Sequence, residues 1–452
     1  MGKFAVLPPT VKVKTLDEAH EALVVLRGPA EKPVRIIAID TETTGLSRQT
    51  DYAVIMSISS GYNRFAIWPE AFEYFRDYLE DPELKLIMWN ANFDTWMLAN
   101  AGVDIYRHTE RTQYRVIDAM VMHALAGDDR SHSLKQAARE YHGIQMVDFK
   151  TVFGKEMLKR PLHEILLDEK NEDVVANYAG LDSYATLLCF LSLQEELLAA
   201  NTDVDLYPTL WDYFVETEIP FTRVLYECER NGIRLDTAAL GEMAPIIDRQ
   251  MITLLRWFTK MTGNPAFNPR ASAQLIDLFF VKLKYEPPSY TETGQPQVAA
   301  GWLKRIAADG DIHARKLLQY KDLQKKLSTY ITGLLKLVTK RGRLHTSYRQ
   351  TGARTGRLSS SDPNLQNQPF YIRGAYITDP GYHLFARDYE QLEMRILAHF
   401  SGDPTLIDAI LSGKDVHSTC AAKMFKVPYE DIMAARKRDN EIDVAKKAGK
   451  PY

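Results

Sequence analysis

The run Val34-Arg35-Ile36-Ile37-Ala38-Ile39-Asp40 constrains the fold of this chain more than any other segment. It is β-branched and apolar almost throughout, the signature of a buried strand. It ends on Asp40-Thr41-Glu42. Residues i and i+2 of a strand face the same side, so both carboxylates point one way. Two like charges that close together are costly unless a cation sits between them.

The surrounding pattern extends that strand into a layer. Residues 52–59 and 64–68 read as following strands, and 84–89 as another short one. Residues 94–100 start a helix, while 116–125 and 173–198 read as helices with apolar faces. Strands first, then strands mixed with helices, predict an α/β layer up to about residue 200. Two more polar groups fall on it. In Asn90-Ala91-Asn92-Phe93-Asp94, Asp94 adds a third carboxylate and Phe93 buries the turn. In Tyr178-Ala179-Gly180-Leu181-Asp182, positions i and i+4 share a helix face, so hydroxyl and carboxylate point together.

Beyond residue 200 the character changes. Residues 201–207 are polar and acidic, a candidate linker. From 213 the pattern is helical, stopped by Asn231-Gly232. A long helical pattern covers 237–261, a loop 263–270, a helix 271–283, a loop 287–296, and one or two helices 299–339. Between Gly301 and Gln350 stand twelve basic and three acidic side chains, in a chain whose net charge is only −3. Such a stripe can neutralise phosphates while acids elsewhere hold metals. With 452 residues, the chain is too long for one core. No run approaches the length of a membrane span, and Met1-Gly2-Lys3-Phe4 lacks the apolar core of a secretory signal. A cytoplasmic protein, bacterial or of a phage-infected cell, is expected, with no membrane partner. Cys189, Cys228 and Cys420 form no Cys-x-x-Cys pair and read as reduced, mostly buried thiols.

A second dense stretch lies further on. His345-Thr346-Ser347-Tyr348-Arg349-Gln350, Thr355-Gly356-Arg357-Leu358-Ser359-Ser360 and Asp362-Pro363-Asn364-Leu365-Gln366-Asn367 are rich in amide, hydroxyl and guanidinium groups. These suit phosphates, sugars and minor-groove acceptors. Leu384-Phe385-Ala386-Arg387-Asp388 reads as an apolar strand ending on a carboxylate, with Tyr389 to Arg395 helix-like after it. A carboxylate so placed can hold a hard divalent cation near a phosphate.

This block closely resembles the template-directed DNA polymerases of family A, the DNA polymerase I type. The strand Asp-x-Glu, the Asn-x-x-Phe-Asp and the helical Tyr-x-x-x-Asp, in that order, resemble the proofreading 3′–5′ exonucleases with four acids and a tyrosine. The resemblance implies an RNase H-like mixed sheet with flanking helices over 1–205. It implies a mostly α thumb over 206–345, with the basic stripe gripping the duplex, and a partial α+β palm and start of the fingers over 346–452. Asp40, Glu42, Asp94 and Asp182 would hold two Mg²⁺ or Mn²⁺ ions, with Tyr178 orienting the attacking water; Asp118 has a less certain role. His123, His132 and His142 read as surface or core histidines.

In the polymerase block the resemblance makes Asp388 one carboxylate of a second two-ion site. Tyr389 would offer its backbone carbonyl there. Glu393 would be the steric gate against a ribose 2′-OH, and His417 would touch the incoming triphosphate. Arg357 would read minor-groove acceptors, and Tyr348, Gln350, Asn364, Gln366 and Asn367 would contact template and primer. Gln368 stands where the family usually has an aliphatic residue. Primer-template DNA, single-stranded 3′ ends and dNTP are the implied partners.

The chain stops at Tyr452 before the family's nucleotide-binding fingers helix and its His-Asp-Glu turn. The expectation is a phage-like, truncated member that excises 3′ ends but does not extend primers alone. It could be a split-gene product, with a second chain carrying the missing part, or a fragment. A stand-alone 3′–5′ exonuclease and a non-enzymatic DNA-binding subunit remain the alternatives.

Overall fold

The computed structural model describes residues 8–61, 63–107, 114–127 and 131–447, the last six by their backbone alone. The chain divides into two compact units, 1–379 and 380–452.

The larger unit begins with a six-stranded mixed sheet in the order β1-β4-β3-β2-β5-β6. Its strands are β1 (Thr10–Val13), β2 (Ile36–Thr43), β3 (Ala53–Ser60), β4 (Asn63–Ile67), β5 (Lys85–Met88) and β6 (Val116–Asp118). β2 runs parallel to β5 and antiparallel to β3. Helices α1 (Leu16–Arg27), α2 (Phe72–Leu79) and α3 (Ala91–Asn100) accompany one face. There Ile37 and Ile39 share a core with Leu26, Phe75 and Met97. Each such buried side chain contributes about 1.5–3 kcal/mol. The alternate residue, Ala38, packs on the opposite face with Ile87, Ile117 and Phe190.

That opposite face is covered by α4 (Ala119–Ala126), α5 (Leu134–His142) and α8 (Glu172–Ala199), with α6 (Phe149–Met157) and α7 (Leu162–Leu166) between them. Helix α8, with the turn before it, is long and apolar enough by composition to cross a membrane, contrary to the sequence expectation. Its apolar side chains, among them Val175, Ala179, Phe190 and Leu193, instead pack in the cores beside the sheet.

Two further local expectations need correction. Residues 116–118 form β6 before α4 starts, because parallel pairing to β5 (Leu86 with Val116, Met88 with Asp118) outweighs their continuity with the helical pattern. The expected linker at 201–207 is part of a hairpin of β7 (Asn201–Val204) and β8 (Tyr207–Thr209), in which the Thr202 hydroxyl donates to the Tyr207 carbonyl.

Then come α9 (Leu210–Tyr213), α10 (Ile219–Asn231), β9 (Ile233–Leu235), α11 (Thr237–Thr262), α12 (Ser272–Ile276), α13 (Ala300–Ala308), α14 (Ile312–Lys325) and α15 (Thr332–Leu337). Asp236 caps α11, its carboxylate accepting from Ala239 N. Two apolar cores hold these helices, one around Leu240, Leu323 and Ile372, the other around Phe258, Phe279 and Trp302. Strands β10 (Arg343–Leu344) and β13 (Tyr376–Ile377) flank β9, and β11 (Ser347–Arg349) pairs with β12 (Ser359–Ser361).

The smaller unit contains α16 (Leu392–Ser401), α17 (Pro404–Leu411), α18 (Val416–Phe425) and α19 (Tyr429–Lys447). The strand expected at 384–388 is not formed among the described residues. Residues 382–389 have no regular structure, and Phe385 and Tyr389 are each 79% exposed. A strand is held by its cross-strand hydrogen bonds, and no described strand pairs with residues 384–388.

Candidate active sites

Asp40 and Glu42 lie inside β2, paired in register with Ser57 and Ile55 of β3, and the ladder bulges directly after Glu42. Strand pleat therefore sets their spacing, and it puts them on the face that α8 covers. Asp182, from α8, completes a triangle: carboxylate oxygens of Asp40, Glu42 and Asp182 lie within 4.8 Å of one another. The three side chains keep part of their surface open to solvent.

Asp94 enters from the first turn of α3. Its Oδ1 accepts from the backbone N of Thr41 (3.1 Å) and from Thr41 Oγ1 (2.6 Å). Thr41, between the two β2 acids, thus ties the strand to the fourth acid. Asp118 is not among the clustered ligands. Its carboxylate accepts from Asn90 N (3.0 Å), Ala91 N (2.8 Å) and Met120 N (2.9 Å). It caps α4 and pins the start of α3, where Asn90 adopts left-handed backbone at φ 71°. Asn is among the few non-glycine residues that do so readily.

The electrostatics follow from crowding acids within protein. Burial, then the charges of Asp182 and Asp94, push Glu42 up to about 8. Burial lifts Asp182 to about 7, with Lys135 pulling the other way. Burial also lifts Asp94 to about 7, against the Thr41 hydrogen bonds. Asp40 is raised well above the usual carboxylate range by burial and by its three acidic neighbours. Asp118, raised by burial against four opposing backbone hydrogen bonds, stands at about 6. A site that resists holding four negative charges is suited to a divalent cation, whose charge reverses the penalty. An all-oxygen donor set fits a hard ion.

Tyr178 lies one helical turn before Asp182 on α8. Phe149 meets its ring edge-on at 5.4 Å, and Lys135 Nζ stands 5.8 Å from the ring centroid. Lys135 is held by Asp148 (2.6 Å) and the Val147 carbonyl (3.0 Å). Burial and the charges of Asp182, Glu42 and Asp40 drive the Tyr178 hydroxyl far above its ordinary range, so it remains protonated. Sequence reasoning missed Thr41, Lys135 and Phe149. The only local signal near Lys135 is the helix cap at Ser133. His123 is fully buried with its Nδ1 2.9 Å from that of His132, and neither belongs to the acid cluster. Of the three free cysteines only Cys189 is buried; Cys228 and Cys420 are exposed, contrary to expectation, because they lie on outward helix faces.

The second set of residues falls in both units. In the larger one, Tyr348 lies on β11 and its backbone N donates to Glu229 Oε1 at 2.6 Å. The Gln350 amide is engaged internally: Nε2 donates to Glu218 Oε2 (2.6 Å) and Oε1 accepts from Thr222 Oγ1 (3.0 Å). Asn364 Oδ1 accepts from the backbone N of Gln366 (3.0 Å) and Asn367 (3.1 Å), which shapes an exposed polar loop. Gln366 Nε2 donates to the Leu358 carbonyl at 2.8 Å. Arg357 is exposed beside this loop in sequence. Gln368 is buried, its Nε2 donating to the Asn364 carbonyl while Oε1 has no partner. In the smaller unit, Asp388, Tyr389, Glu393 and His417 are all exposed. The basic residues of 301–350 do not form one free stripe: Lys326 pairs with Asp322, Arg315 donates to the Ala307 carbonyl, and Arg343 pairs with Asp379.

Comparison with known proteins assigns both halves. Residues 11–198 match the family model of the 3′–5′ exonuclease, and residues 237–443 that of DNA polymerase family A. DNA polymerase I of Pseudomonas aeruginosa is 32% identical over 425 residues, 89% of this chain and 45% of the relative. That of Chloroflexus aurantiacus is 32% identical over 413 residues, 86% of this chain and 42% of the relative. The thermostable DNA polymerase I of Thermus aquaticus is 41% identical over 231 residues, 49% of this chain and 27% of the relative. The chain thus spans less than half the length of these curated relatives. Among solved structures, the POL domain of Pol1 from M. smegmatis, in complex with DNA primer-template and dNTP, matches with a TM-score of 0.69 at 23% identity. It covers 96% of this chain and 70% of that one, a likeness of fold.

Proposed function

We propose, for a chain that belongs to DNA polymerase family A and carries a 3′–5′ exonuclease domain in its N-terminal half, that its first site removes nucleotides from DNA 3′ ends with the help of two divalent cations. The observation that carries this reading is the convergence of Asp40, Glu42 and Asp182 within 4.8 Å, with Asp94 held beside them through Thr41. Magnesium or manganese would be held by these four carboxylates; when bound, such ions supply an activated water and neutralise charge on the leaving 3′ oxygen. The chain's own part is positional. Tyr178, kept protonated by burial and by its acidic neighbours, offers a hydroxyl to orient water, and Phe149 and Lys135 pack against its ring. No nucleophilic side chain is required.

In the family A half we propose that Asp388 and the Tyr389 carbonyl hold catalytic metal, that Glu393 excludes a 2′-hydroxyl, and that His417 meets the triphosphate of a dNTP. Arg357 and the loop of Asn364, Gln366 and Asn367 would face the minor groove of primer-template DNA, with Tyr348 and Gln350 shaping the strand beneath. The support is the order of these residues in the matched segment, and the exposed polar edge that the loop presents.

The test uses a 5′-labelled single-stranded oligonucleotide with Mg²⁺. A ladder shortening from the 3′ end is expected, lost in the Asp40→Ala/Glu42→Ala variant and slowed about 100-fold in Tyr178→Phe. Unchanged shortening by the double variant would reject the site.

A further inference from the structure

A cavity of about 700 Å³ opens where the exonuclease sheet's α3 meets the turn before β10. Five cationic side chains line it (Arg48, Arg230, Lys340, Arg341 and Arg343) against one acid, Asp379. Three of the five are held in place. Arg343 donates to Asp379 (2.6 Å) and to the carbonyls of Asn231 (2.6 Å) and Gly232 (3.2 Å). Arg48 is paired with Glu229, and Asn100 Nδ2 fixes its backbone carbonyl at 2.8 Å. The Arg230 guanidinium lies 4.9 Å from the Trp96 ring centroid. Lys340 and Arg341 are exposed on a tight turn closed by Gly342 N to the Thr339 carbonyl (2.8 Å). Neither has an acidic partner among the described residues.

We propose that this cavity is a binding site for the backbone of single-stranded DNA, separate from both sites above. With Arg48 paired to Glu229 and Arg343 to Asp379, the positive charges of Arg230, Lys340 and Arg341 remain unneutralised at the rim, and such a cluster attracts a polyanion. The space suits a few nucleotides and is too small for a duplex, whose major groove alone is about 12 Å wide. Arg230 is an exposed residue whose guanidinium lies 4.9 Å from the Trp96 ring centroid and 5.8 Å from that of Tyr226, and a planar cation so placed offers a platform for a base. That platform distinguishes a nucleic-acid strand from a simple polyphosphate. The site joins the loop that follows the acids of β2 to the turn that leads into β10, so a strand lying here would touch both functional halves.

The proposal rests on the DNA-processing reading, and the experiment separates the two. Fluorescence anisotropy is measured on the full chain with fluorescein-labelled dT12 in EDTA, over a series of salt concentrations. Lys340→Ala/Arg341→Ala should bind about tenfold more weakly, with a log–log salt slope shallower by about 1.4, the value for two lost phosphate contacts on a single strand. The charge-conserving Lys340→Arg/Arg341→Lys variant should restore both, which excludes misfolding as the cause. Arg230→Ala should weaken binding several-fold with a smaller change of slope. Lys32→Ala/Lys85→Ala, equal in charge but elsewhere, should match the wild type. Wild-type binding and slope in the Lys340/Arg341 alanine variant would overturn the proposal and leave the DNA reading standing. No binding of dT12 by the wild type would overturn both. Displacement of dT12 by tripolyphosphate as effective as by unlabelled dT12 would overturn the assignment to a strand.

Discussion

Arg48 and Glu229 form an ion pair across 181 residues of sequence, Nη1 to Oε2 at 2.5 Å, with the Glu229 side chain wholly withdrawn from solvent. The same carboxylate accepts from Trp96 Nε1 (3.2 Å) and Tyr348 N (2.6 Å), and the Glu229 carbonyl lies 2.8 Å from His345 Nδ1. One acid on α10 thus joins the loop after β2, helix α3 and strand β11. Arg48 counters the upward push of burial on the Glu229 carboxyl.

Removing that acid should be among the most damaging single changes in the larger unit. Glu229→Ala strands the Arg48 guanidinium and leaves two buried donors without an acceptor, a loss of about 3–5 kcal/mol. A thermal melt followed by circular dichroism should show Tm lowered by more than about 5 °C, with Glu229→Gln intermediate. A wild-type Tm for the alanine variant would mean that the network carries no stability.

The acid cluster should behave in the opposite way. Asp182→Asn removes one of three converging negative charges, so the metal-free chain should gain about 1 kcal/mol, or 2–4 °C in Tm. The same change should lower exonuclease turnover by roughly 10³-fold, since several kcal/mol of charge stabilisation at the site is lost. Measuring Tm in EDTA and turnover in Mg²⁺ on one preparation checks both signs. A variant that is both less stable and fully active would contradict the arrangement.

The pH dependence follows from the same groups. Glu42 near 8, with Asp94 and Asp182 near 7, lie above the ordinary carboxylate values near 4 of an unfolded chain. The folded state therefore holds more protons than the unfolded one across that interval. Their contribution to stability is present below about pH 4 and is lost as pH rises through 7 to 8. In EDTA, Tm should fall between pH 5.5 and 8.5; with excess Mn²⁺ or Mg²⁺ the fall should be reduced or reversed. Cation binding should release protons and tighten over this window, which calorimetry in two buffers of different ionisation enthalpy measures directly. Metal affinity independent of pH from 6 to 8 would refute the assignment.

Thr41 is expected to matter without being a ligand. Thr41→Val deletes the 2.6 Å hydrogen bond to Asp94 and raises that carboxyl further. Metal affinity at pH 7 should drop by about 10-fold, in line with other outer-shell partners. Most of the loss should be recovered at pH 8.5, where Asp94 is ionised again. A loss equal at both pH values would point to altered shape rather than altered charge.

What could be read from the chain itself was what local periodicity encodes. The β-branched run before Asp40, the i, i+2 spacing of Asp40 and Glu42, and the i, i+4 spacing of Tyr178 and Asp182 each fix a direction without knowledge of the rest. Thr10–Val13 is too short to stand out, and it becomes a strand only by pairing with Arg64–Ile67. Asp118 looked like a possible fifth acid, but its backbone donors come from Asn90, Ala91 and Met120, a grouping set by the parallel alignment of β5 and β6. The Arg48–Glu229 pair has no local signature. Leu384 to Asp388 shows the converse: its pattern suits a strand, yet hydrogen-bonded neighbours decide whether one forms.

Because Asp40 and Glu42 belong to a laddered strand, their relative position cannot drift as residues in a loop would. A register slip of one residue between β2 and β3 would turn both carboxylates towards the face of Ile37 and Ile39 and bury them in hydrocarbon. Misalignment is thereby punished in folding itself, and a chain that has closed this sheet correctly has already set the two β2 acids at their working separation before any nucleic acid arrives.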